Sequence, residues 1–227
     1  MDWRVLSDFD GTIALEDVTD SVLERFALPG WEEIEGAWKK GLIGSQECMS
    51  RQIALIRATR DELDAHLDTV AIDPGFAGFS AFCAHEGLPL TVVSDGMDYA
   101  IRRILSRHGL DHLPVLANHL EQVGTDRYRL TSPHANAACA KASGTCKCSI
   151  ASAQTAGGAA SLLIGDGTSD CCAAGTVDLV FAKDGLLSFC RDMGLPFVAY
   201  RDFTHASDLL ATLLDEPVRL GVAAAFG

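Results

Sequence analysis

Three polar clusters rich in Asp and Gly mark this chain of 227 residues. They are Asp8-Phe9-Asp10-Gly11-Thr12, Ser94-Asp95-Gly96 and Gly165-Asp166-Gly167-Thr168-Ser169-Asp170. Each cluster follows a short apolar run of the kind that forms a buried strand. One cluster alone is compatible with an ordinary turn, because Asp and Gly dominate turns. Three clusters after three such runs favour a shared site for a metal ion and an anion.

The carboxylates of the first and third clusters predict the metal. Asp8, Asp10, Asp166 and Asp170 can meet at one place only if a counter-charge offsets their repulsion. Oxygen ligands select a hard cation, and Mg²⁺ is the expected one. We therefore predict that these four residues bind Mg²⁺ as a cofactor.

Asp8 and Asp10 also suit hydrolysis of a phosphate monoester, whose negative charge must be neutralised before attack. The Asp8 carboxylate is the candidate nucleophile, because it can form a covalent acyl phosphate. Asp10 is the candidate general acid for the leaving oxygen and then the base for water. Strand alternation would place the two side chains on opposite faces. The pairing therefore requires the chain to leave the strand at Phe9, a bend that Gly11 makes plausible.

Ser94 and Lys147 are the candidate phosphate-binding residues with a catalytic role. Ser94 would donate a hydrogen bond to a phosphate oxygen, and its alternative role is a helix N-cap. Lys147 would balance the carboxylates and hold the phosphate. Lys141 is its competitor, but Lys147 immediately precedes a helical segment. Further predicted substrate contacts in the clusters are Gly11, Asp95 and Gly96.

The elements that must position these residues alternate along the chain. Short apolar strands are predicted at residues 3–6, 90–93, 115–117, 161–164, 179–182 and 197–199, with helical periodicity between most of them and a hairpin arm at 128–130. This pattern indicates the α/β class: a doubly wound parallel sheet, Rossmann-like, covered on both faces. Ligands bind such sheets beyond the carboxyl ends of the strands, where the clusters lie.

Residues 17–70 interrupt this alternation, because they show helical periodicity and no strand pattern. They predict three or four helices inserted after the first strand. We therefore divide the chain into an α/β catalytic core, residues 1–14 and 76–227, and a helical cap, residues 15–75.

The composition excludes several classes of partner. With 48% hydrophobic residues the chain is expected to fold. A net charge of −13, with Lys and Arg scattered, argues against nucleic acid and anionic membranes. There is no apolar run of about 18 residues and no signal-peptide pattern at the N-terminus. We expect a cytoplasmic monomer or homodimer that acts on a small phosphorylated metabolite.

The eight cysteines are expected to be free thiols, because a chain of this length without an export signal is expected in a reducing compartment. Five are assigned to packing in helices: Cys48, Cys83, Cys171, Cys172 and Cys190. The other three lie in sequence near His134, and free thiols, a disulfide and a Zn²⁺ site stay open for them: Cys139, Cys146 and Cys148.

Taken together, these segments resemble the four motifs of the haloacid dehalogenase superfamily of phosphatases: Asp8–Thr12, Ser94, Lys147 and Gly165–Asp170. The insertion after the first motif resembles the cap of the phosphoserine-phosphatase-like branch. Other segments resemble the methionine-salvage phosphatases, which act on 2-hydroxy-3-keto-5-methylthiopentenyl 1-phosphate: Val93–Asp98, Ser132–His134, Gly144–Lys147 and Phe181–Leu187. The match extends from Val5 to about Phe203. It implies a Mg²⁺-dependent phosphomonoesterase with a phospho-Asp8 intermediate and this enol phosphate as the leading substrate.

The resemblance also implies individual roles. Asp10 would bind Mg²⁺ through its backbone carbonyl, Asp166 would be the second carboxylate ligand, and Asp170 would be a ligand or would orient one. By comparison with phosphoserine phosphatases, Gln52 falls where an Arg would meet the substrate carboxylate, with Arg51 beside it. A neutral amide cannot replace an Arg–carboxylate pair, which argues against phosphoserine. We predict that Gln52 contacts the substrate; a solvated helix surface is the alternative.

Two alternative functions stay open. One is a phosphatase of another small phosphomonoester, such as phosphoserine, phosphocholine or phosphoethanolamine. The other is a non-catalytic phosphate-binding protein. Such a protein would not hydrolyse p-nitrophenyl phosphate in the presence of Mg²⁺.

Overall fold

A seven-stranded sheet lies at the centre of the fold, in a computed structural model that describes residues 3–215. Its strands are β1 (Trp3–Ser7), β2 (Leu90–Met97), β3 (Val115–Gln122), β4 (Tyr128–Thr131), β5 (Ala160–Gly165), β6 (Leu179–Ala182) and β7 (Phe197–Ala199). The spatial order is β4-β3-β2-β1-β5-β6-β7, and the pairings are parallel except that of β3 with β4. The predicted α/β class and doubly wound sheet are confirmed.

The helices of the described residues cover both faces of this sheet. They are α1 (Val18–Phe26), α2 (Trp31–Lys39), α3 (Ser45–Ile53), α4 (Arg60–Leu67), α5 (Phe76–His85), α6 (Asp98–Arg107), α7 (Lys147–Thr155), α8 (Cys171–Ala174), α9 (Asp184–Met193) and α10 (Phe203–Asp215). None of them is both long and apolar enough to cross a bilayer.

Two apolar layers hold the helices against the sheet. Neighbouring residues of β1 alternate between them, since Val5 packs in one layer and Leu6 in the other. In the first layer Phe76 and Phe79 of α5 meet Phe203 of α10, with ring centroids 4.7 and 5.2 Å apart. The second layer includes residues of α7, α8 and α9. Both faces of the central strands are therefore buried, as their continuously apolar sequence predicts.

The inserted block contains four helices, α1 to α4, and no strand longer than an isolated bridge. One such bridge pairs Ala14 with Ile72, so the chain enters and leaves the block side by side. Local signals fix the helix starts: the Asp17 side chain caps α1, and Thr59 forms a capping box with Glu62 at α4. The division into a cap of residues 15–75 and a core stays a prediction, and residues 1, 2 and 216–227 of that core lie outside the described residues.

Two strands are longer than the sequence predicts. β2 continues through the polar Ser94-Asp95-Gly96 cluster, with an irregular register between Val93 and Met97 against β3. β3 continues to Gln122 because its second half pairs with β4, which confirms the predicted hairpin arm. Strand length here depends on pairing partners rather than on apolar runs.

The expectation that all cysteines are free is wrong for one pair. Cys148 and Cys172 form a disulfide, with Cα atoms 6.2 Å apart. The first turns of α7 and α8 pack together, which brings these two residues within bonding distance. The remaining cysteines are free, and Cys48, Cys83 and Cys190 are buried as predicted. Because Cys148 is bonded to Cys172, its sulfur is not available as a thiolate ligand for the Zn²⁺ site that the sequence left open.

Candidate active site

The three clusters meet at the carboxyl ends of β1, β2 and β5. β1 pairs with β2 on one side and with β5 on the other, so the chain changes direction across the sheet at this strand. The amide of Asp8 still donates to the carbonyl of Ile164 at 2.9 Å, which holds the first cluster beside the third. This is the place where doubly wound sheets bind ligands.

The chain bends sharply after Asp8. The amides of Thr12, Ile13 and Ala14 all donate to the carbonyl of Phe9, and Gly11 has a φ of +67°. A Cβ atom at Gly11 would lie 2.5 Å from Oδ2 of Asp166, so the position has room only for glycine. The bend that pairing Asp8 with Asp10 requires is therefore present.

Asp8 is buried and surrounded by donors. Its Oδ1 accepts a hydrogen bond from the Phe9 amide at 2.7 Å, and its Oδ2 accepts one from Ser169 Oγ at 3.2 Å. The same Oδ2 lies 2.7 Å from Nζ of Lys147. Burial and then the charge of Asp170 raise the pKa of Asp8, Lys147 lowers it, and the net result is a pKa of about 7.

Lys147 lies between two carboxylates at the start of α7. Its Nζ is 2.7 Å from Asp8 Oδ2 and 2.6 Å from Asp170 Oδ1, and its side chain is only 3% exposed. Burial acts to lower the pKa of Lys147, but Asp170 and Asp8 outweigh it and raise the pKa. The ammonium group is therefore charged at neutral pH. Lys141, its competitor, is exposed.

Three carboxylates form a set that fits a divalent cation. Asp8, Asp166 and Asp170 each offer one oxygen, and these oxygens lie within 4.8 Å of one another. Burial and the charge of Asp8 raise the pKa of Asp166, while Thr12 Oγ1 donates to its Oδ1 at 2.6 Å. One lysine against three carboxylates leaves the set with excess negative charge. All-oxygen donors and this charge fit a hard cation.

The Asp10 carboxylate lies beside this set rather than in it. Its Oδ1 accepts from the Val18 amide at 3.0 Å, and its Oδ2 accepts from Ser94 Oγ at 3.3 Å. Burial, followed by the charges of Asp17 and Asp8, raises the pKa of Asp10 well above its ordinary value. A raised pKa favours the protonated form of the carboxyl group, which is the form that a general acid needs.

Ser94 lies inside β2, so the helix N-cap alternative is wrong, and Met97 holds that position for α6. The Ser94 hydroxyl accepts from the Gly96 amide at 2.9 Å while it donates to Asp10. A Cβ atom at Gly96 would lie 2.7 Å from Asp10 Oδ2. Ser94 and Gly96 therefore adjoin Asp10 directly.

Asp95 is engaged in contacts within the protein. Its carboxylate accepts from Ser45 Oγ at 2.6 Å, from the Thr145 amide at 2.8 Å and from Asn118 Nδ2 at 3.2 Å. Ser45 begins α3 of the inserted block, and Thr145 precedes Lys147. Asp95 therefore joins the block to the sheet, and its predicted substrate contact stays a prediction.

Gln52 is 2% exposed, so the alternative of a solvated helix surface is wrong. Its Nε2 donates to Glu35 Oε2 at 3.1 Å, and its Oε1 accepts from Cys48 Sγ at 3.4 Å. The amide is therefore engaged inside the inserted block. Arg51, its neighbour, is exposed and pairs with Glu47 at 3.2 Å.

Comparison with known proteins now decides the family. The model of the haloacid dehalogenase-like hydrolases matches residues 5–175. The chain belongs to this family.

Relatives of this hydrolase carry a more specific name. The 2-hydroxy-3-keto-5-methylthiopentenyl-1-phosphate phosphatase of Geobacillus thermodenitrificans (strain NG80-2) is 31% identical over 209 residues, which cover 91% of this chain and 94% of that protein. The protein of that name in Bacillus velezensis (strain DSM 23117 / BGSC 10A6 / LMG 26770 / FZB42) is 30% identical over 202 residues, 88% of this chain and 86% of that one.

Solved structures share the fold of this hydrolase. A haloacid dehalogenase family hydrolase from Salmonella enterica subsp. enterica serovar Typhi superposes with a TM-score of 0.71 at 19% identity, over 95% of this chain and 72% of that one. A phosphoserine phosphatase holding a phospho-aspartyl intermediate analogue superposes with a TM-score of 0.66 at 17% identity, over 95% of this chain and 99% of that one. Together with the named relatives, these similarities indicate a phosphatase.

Sequence reasoning assigned no role to several residues that the hydrolase places at the site. Thr12 and Ser169 lie within the clusters and bond to Asp166 and Asp8, so their position in the motifs was the available signal. Asp17 acts on the pKa of Asp10 through space, and only its helix-capping position marked it. Tyr200 is buried close to Thr12 and Asp166, where burial raises the pKa of its hydroxyl, and no motif surrounds it.

Proposed function

We propose that this hydrolase is a Mg²⁺-dependent phosphomonoesterase that works through a phospho-Asp8 intermediate. The observation that carries the proposal is the contact of Asp8 with Lys147 beside Asp166 and Asp170. A buried carboxylate next to a charged lysine suits nucleophilic attack on a phosphate dianion. Asp8, Asp166, Asp170 and the Asp10 carbonyl would hold the ion, which supplies positive charge to the phosphate oxygens.

In the first step an oxygen of Asp8 attacks phosphorus. A bond forms between that oxygen and phosphorus, and the bond from phosphorus to the ester oxygen breaks. Asp10 donates its proton to the departing alcohol oxygen, which its raised pKa permits. Ser94 and Lys147 donate hydrogen bonds to the phosphate oxygens, as their places beside Asp10 and Asp8 allow.

In the second step water attacks the phosphorus of phospho-Asp8. Asp10, now ionised, takes a proton from that water, so the residue changes from acid to base. The bond between phosphorus and the Asp8 oxygen breaks, and inorganic phosphate leaves. Asp8 is regenerated as a carboxylate.

For the substrate we propose 2-hydroxy-3-keto-5-methylthiopentenyl 1-phosphate. Relatives that bear this name are similar along about nine-tenths of the chain. The inserted block also lacks a free arginine at the position that would hold the carboxylate of phosphoserine, since Arg51 is exposed and paired with Glu47. A substrate without a carboxylate fits this arrangement.

A second candidate substrate is a phosphomonoester with a cationic group, such as phosphocholine or phosphoethanolamine. Burial is the largest cause that raises the pKa of Asp17, and the charges of Asp8 and Glu35 raise it further. Burial followed by the charges of Asp17 and Glu35 raises the pKa of Asp20 to about 6. Asp17 also lies within the field of Asp8. This negative surface favours an ammonium group over a second anion.

A turnover screen with Mg²⁺ tests the proposed function and ranks the substrates. The panel contains the enol phosphate, phosphocholine, phosphoethanolamine, phosphoserine and p-nitrophenyl phosphate. We expect the highest kcat/KM for the enol phosphate and no turnover by Asp8→Asn. Preference for phosphoserine, or activity that persists in Asp8→Asn or after chelation, would contradict the proposal. The predictions of a cytoplasmic monomer or homodimer belong to this proposal too.

A further inference from the structure

The charged centre of the site is held by two helices that a disulfide joins. Lys147 is the first residue of α7, and Asp170 is the N-cap residue of α8. Cys148 follows Lys147 directly, and Cys172 lies two residues after Asp170. The disulfide and the 2.6 Å ion pair between Lys147 and Asp170 therefore link the same two helix starts.

The second of these helices has little support of its own. α8 has four residues, too few for a helix that is stable without tertiary contacts. Asp170 Oδ2 accepts from the amides of Asp166 at 3.3 Å and Gly167 at 3.4 Å, so a shift of Asp170 also moves Asp166. Breaking the disulfide would therefore loosen the carboxylates of Asp166 and Asp170 together with Lys147.

The disulfide lies outside the fully buried core and is unusual for its expected surroundings. Cys148 and Cys172 are both half-buried. Disulfides in a reducing cytoplasm are generally transient, catalytic or redox-sensing rather than structural. A bond beside the site of a cytoplasmic enzyme fits such a regulatory role.

We propose that Cys148 and Cys172 form a thiol–disulfide exchange site through which dithiol reductants lower the phosphatase activity. The oxidised pair holds Lys147 against Asp170, and the reduced pair releases it. This inference rests on the proposed function of the same site.

The exchange balances with a dithiol as co-reactant. One thiolate of the reductant attacks a sulfur of the disulfide, forming a mixed disulfide and releasing the other cysteine as a thiolate. The second thiol of the reductant then attacks the mixed disulfide and leaves as a cyclic disulfide. Two electrons and two protons pass to Cys148 and Cys172, which end as thiols.

The test compares the protein of residues 1–227, first oxidised with glutathione disulfide and then freed of it, before and after treatment with dithiothreitol. Thiol titration in denaturant should count six thiols before and eight after, because the other six cysteines are free. We expect reduction to raise the KM for p-nitrophenyl phosphate, and the Kd of orthophosphate measured calorimetrically with Mg²⁺, on the order of tenfold. Far-ultraviolet circular dichroism should not change.

Two variants make the comparison specific. The double variant Cys148→Ser/Cys172→Ser should behave like the reduced protein, with or without dithiothreitol. Cys171→Ser alters a half-buried thiol in the same helical turn and should keep the full response to reduction.

Four outcomes would overturn the inference. The first is eight thiols in the oxidised sample, and the second is a KM and an orthophosphate Kd that reduction leaves unchanged. The third is a double variant that responds to dithiothreitol as strongly as the parent protein does, and the fourth is loss of secondary structure on reduction. If no phosphate ester is hydrolysed in either state, the proposed function fails, and orthophosphate binding still decides whether the exchange site controls the pocket.

Discussion

At the scale of single residues, the charge of the site depends on Lys147. It contacts Asp8 and Asp170 at 2.7 and 2.6 Å and is as buried as they are. Among the described residues no other lysine or arginine forms an ion pair with these two carboxylates. Removing its charge leaves buried carboxylates with no adjacent protein cation, which is costly without a metal ion.

We therefore predict that Lys147→Ala lowers kcat/KM for p-nitrophenyl phosphate by at least about 10²–10³-fold, the range for loss of one electrostatic contact to a reacting group. Lys141→Ala is the matched control, because Lys141 lies six residues earlier on the exposed surface, and its kcat/KM should stay near that of the parent. Steady-state kinetics of both variants checks the prediction. The reverse pattern would mean that the lysine has been assigned wrongly.

Residue types and spacing predicted the residues that meet here, but not all their contacts. Asp8, Asp10 and Asp166 could be found because each follows a buried strand in a parallel sheet. The partners of Asp95 and Gln52 could not, since Ser45, Asn118 and Glu35 reach them from other elements. Such contacts depend on how the inserted helices lie on the sheet, which local periodicity does not specify.

At the scale of elements, the turn after β1 positions both Asp8 and Asp166. Gly11 has a positive φ, and its Cα faces the Asp166 carboxylate closely. Gly41 has a similar φ of +71° in the α2–α3 connection, but a Cβ there would meet nothing within 4 Å. Substitutions at these two glycines therefore distinguish the effect of backbone strain, which both would cause, from the effect of crowding at the site, which only the one at Gly11 would cause.

We predict that Gly41→Ala lowers the free energy of unfolding by about 1–2 kcal/mol, because it places alanine in the left-handed region. Gly11→Ala should lower it by at least as much, since its methyl group also meets Asp166. Only Gly11→Ala should also weaken Mg²⁺ binding, since its methyl group displaces Asp166. Urea unfolding and calorimetric titration with Mg²⁺ measure the two effects. Equal Mg²⁺ affinity in the two variants would show that the turn does not position Asp166.

Element types were predictable where one apolar pattern extended over the whole element, as in β5 and β6. The ends of β2 and β3 were not, because polar residues continue these strands by pairing. The Cys148–Cys172 disulfide was missed for a related reason. Its cysteines lie 24 residues apart, and only the packing of α7 on α8 brings them together.

At the scale of the whole molecule, the clustered carboxylates lower the stability of the metal-free protein as the pH rises, and a bound metal ion should restore that stability. The pKa of Asp8 is raised from 3.8 to about 7, so the metal-free native state binds a proton that the unfolded chain releases. Stability from this group is therefore complete below pH 4 and is lost as pH rises towards 7 and above. A cation at the same carboxylates competes with that proton.

We predict that Mg²⁺ raises the melting temperature more at pH 8 than at pH 5, because only ionised Asp8 is free to bind it. Differential scanning calorimetry with chelator and with Mg²⁺ at both pH values measures this difference. In Asp8→Asn the pH dependence of the Mg²⁺ effect should become smaller, and the remainder should come from Asp166, whose pKa burial also raises. A Mg²⁺ effect that is equal at both pH values in the parent protein would contradict the assignment.

The most direct test of the account is to trap the phosphoryl group on Asp8. The enzyme is mixed with p-nitrophenyl phosphate and Mg²⁺, quenched within one turnover, and treated with borohydride, which reduces an aspartyl phosphate to homoserine. Peptide mass spectrometry should find homoserine at position 8 and aspartate at position 10, with no modification in Asp8→Asn. Modification at another residue, or continued turnover with no modified residue, would contradict the proposed mechanism.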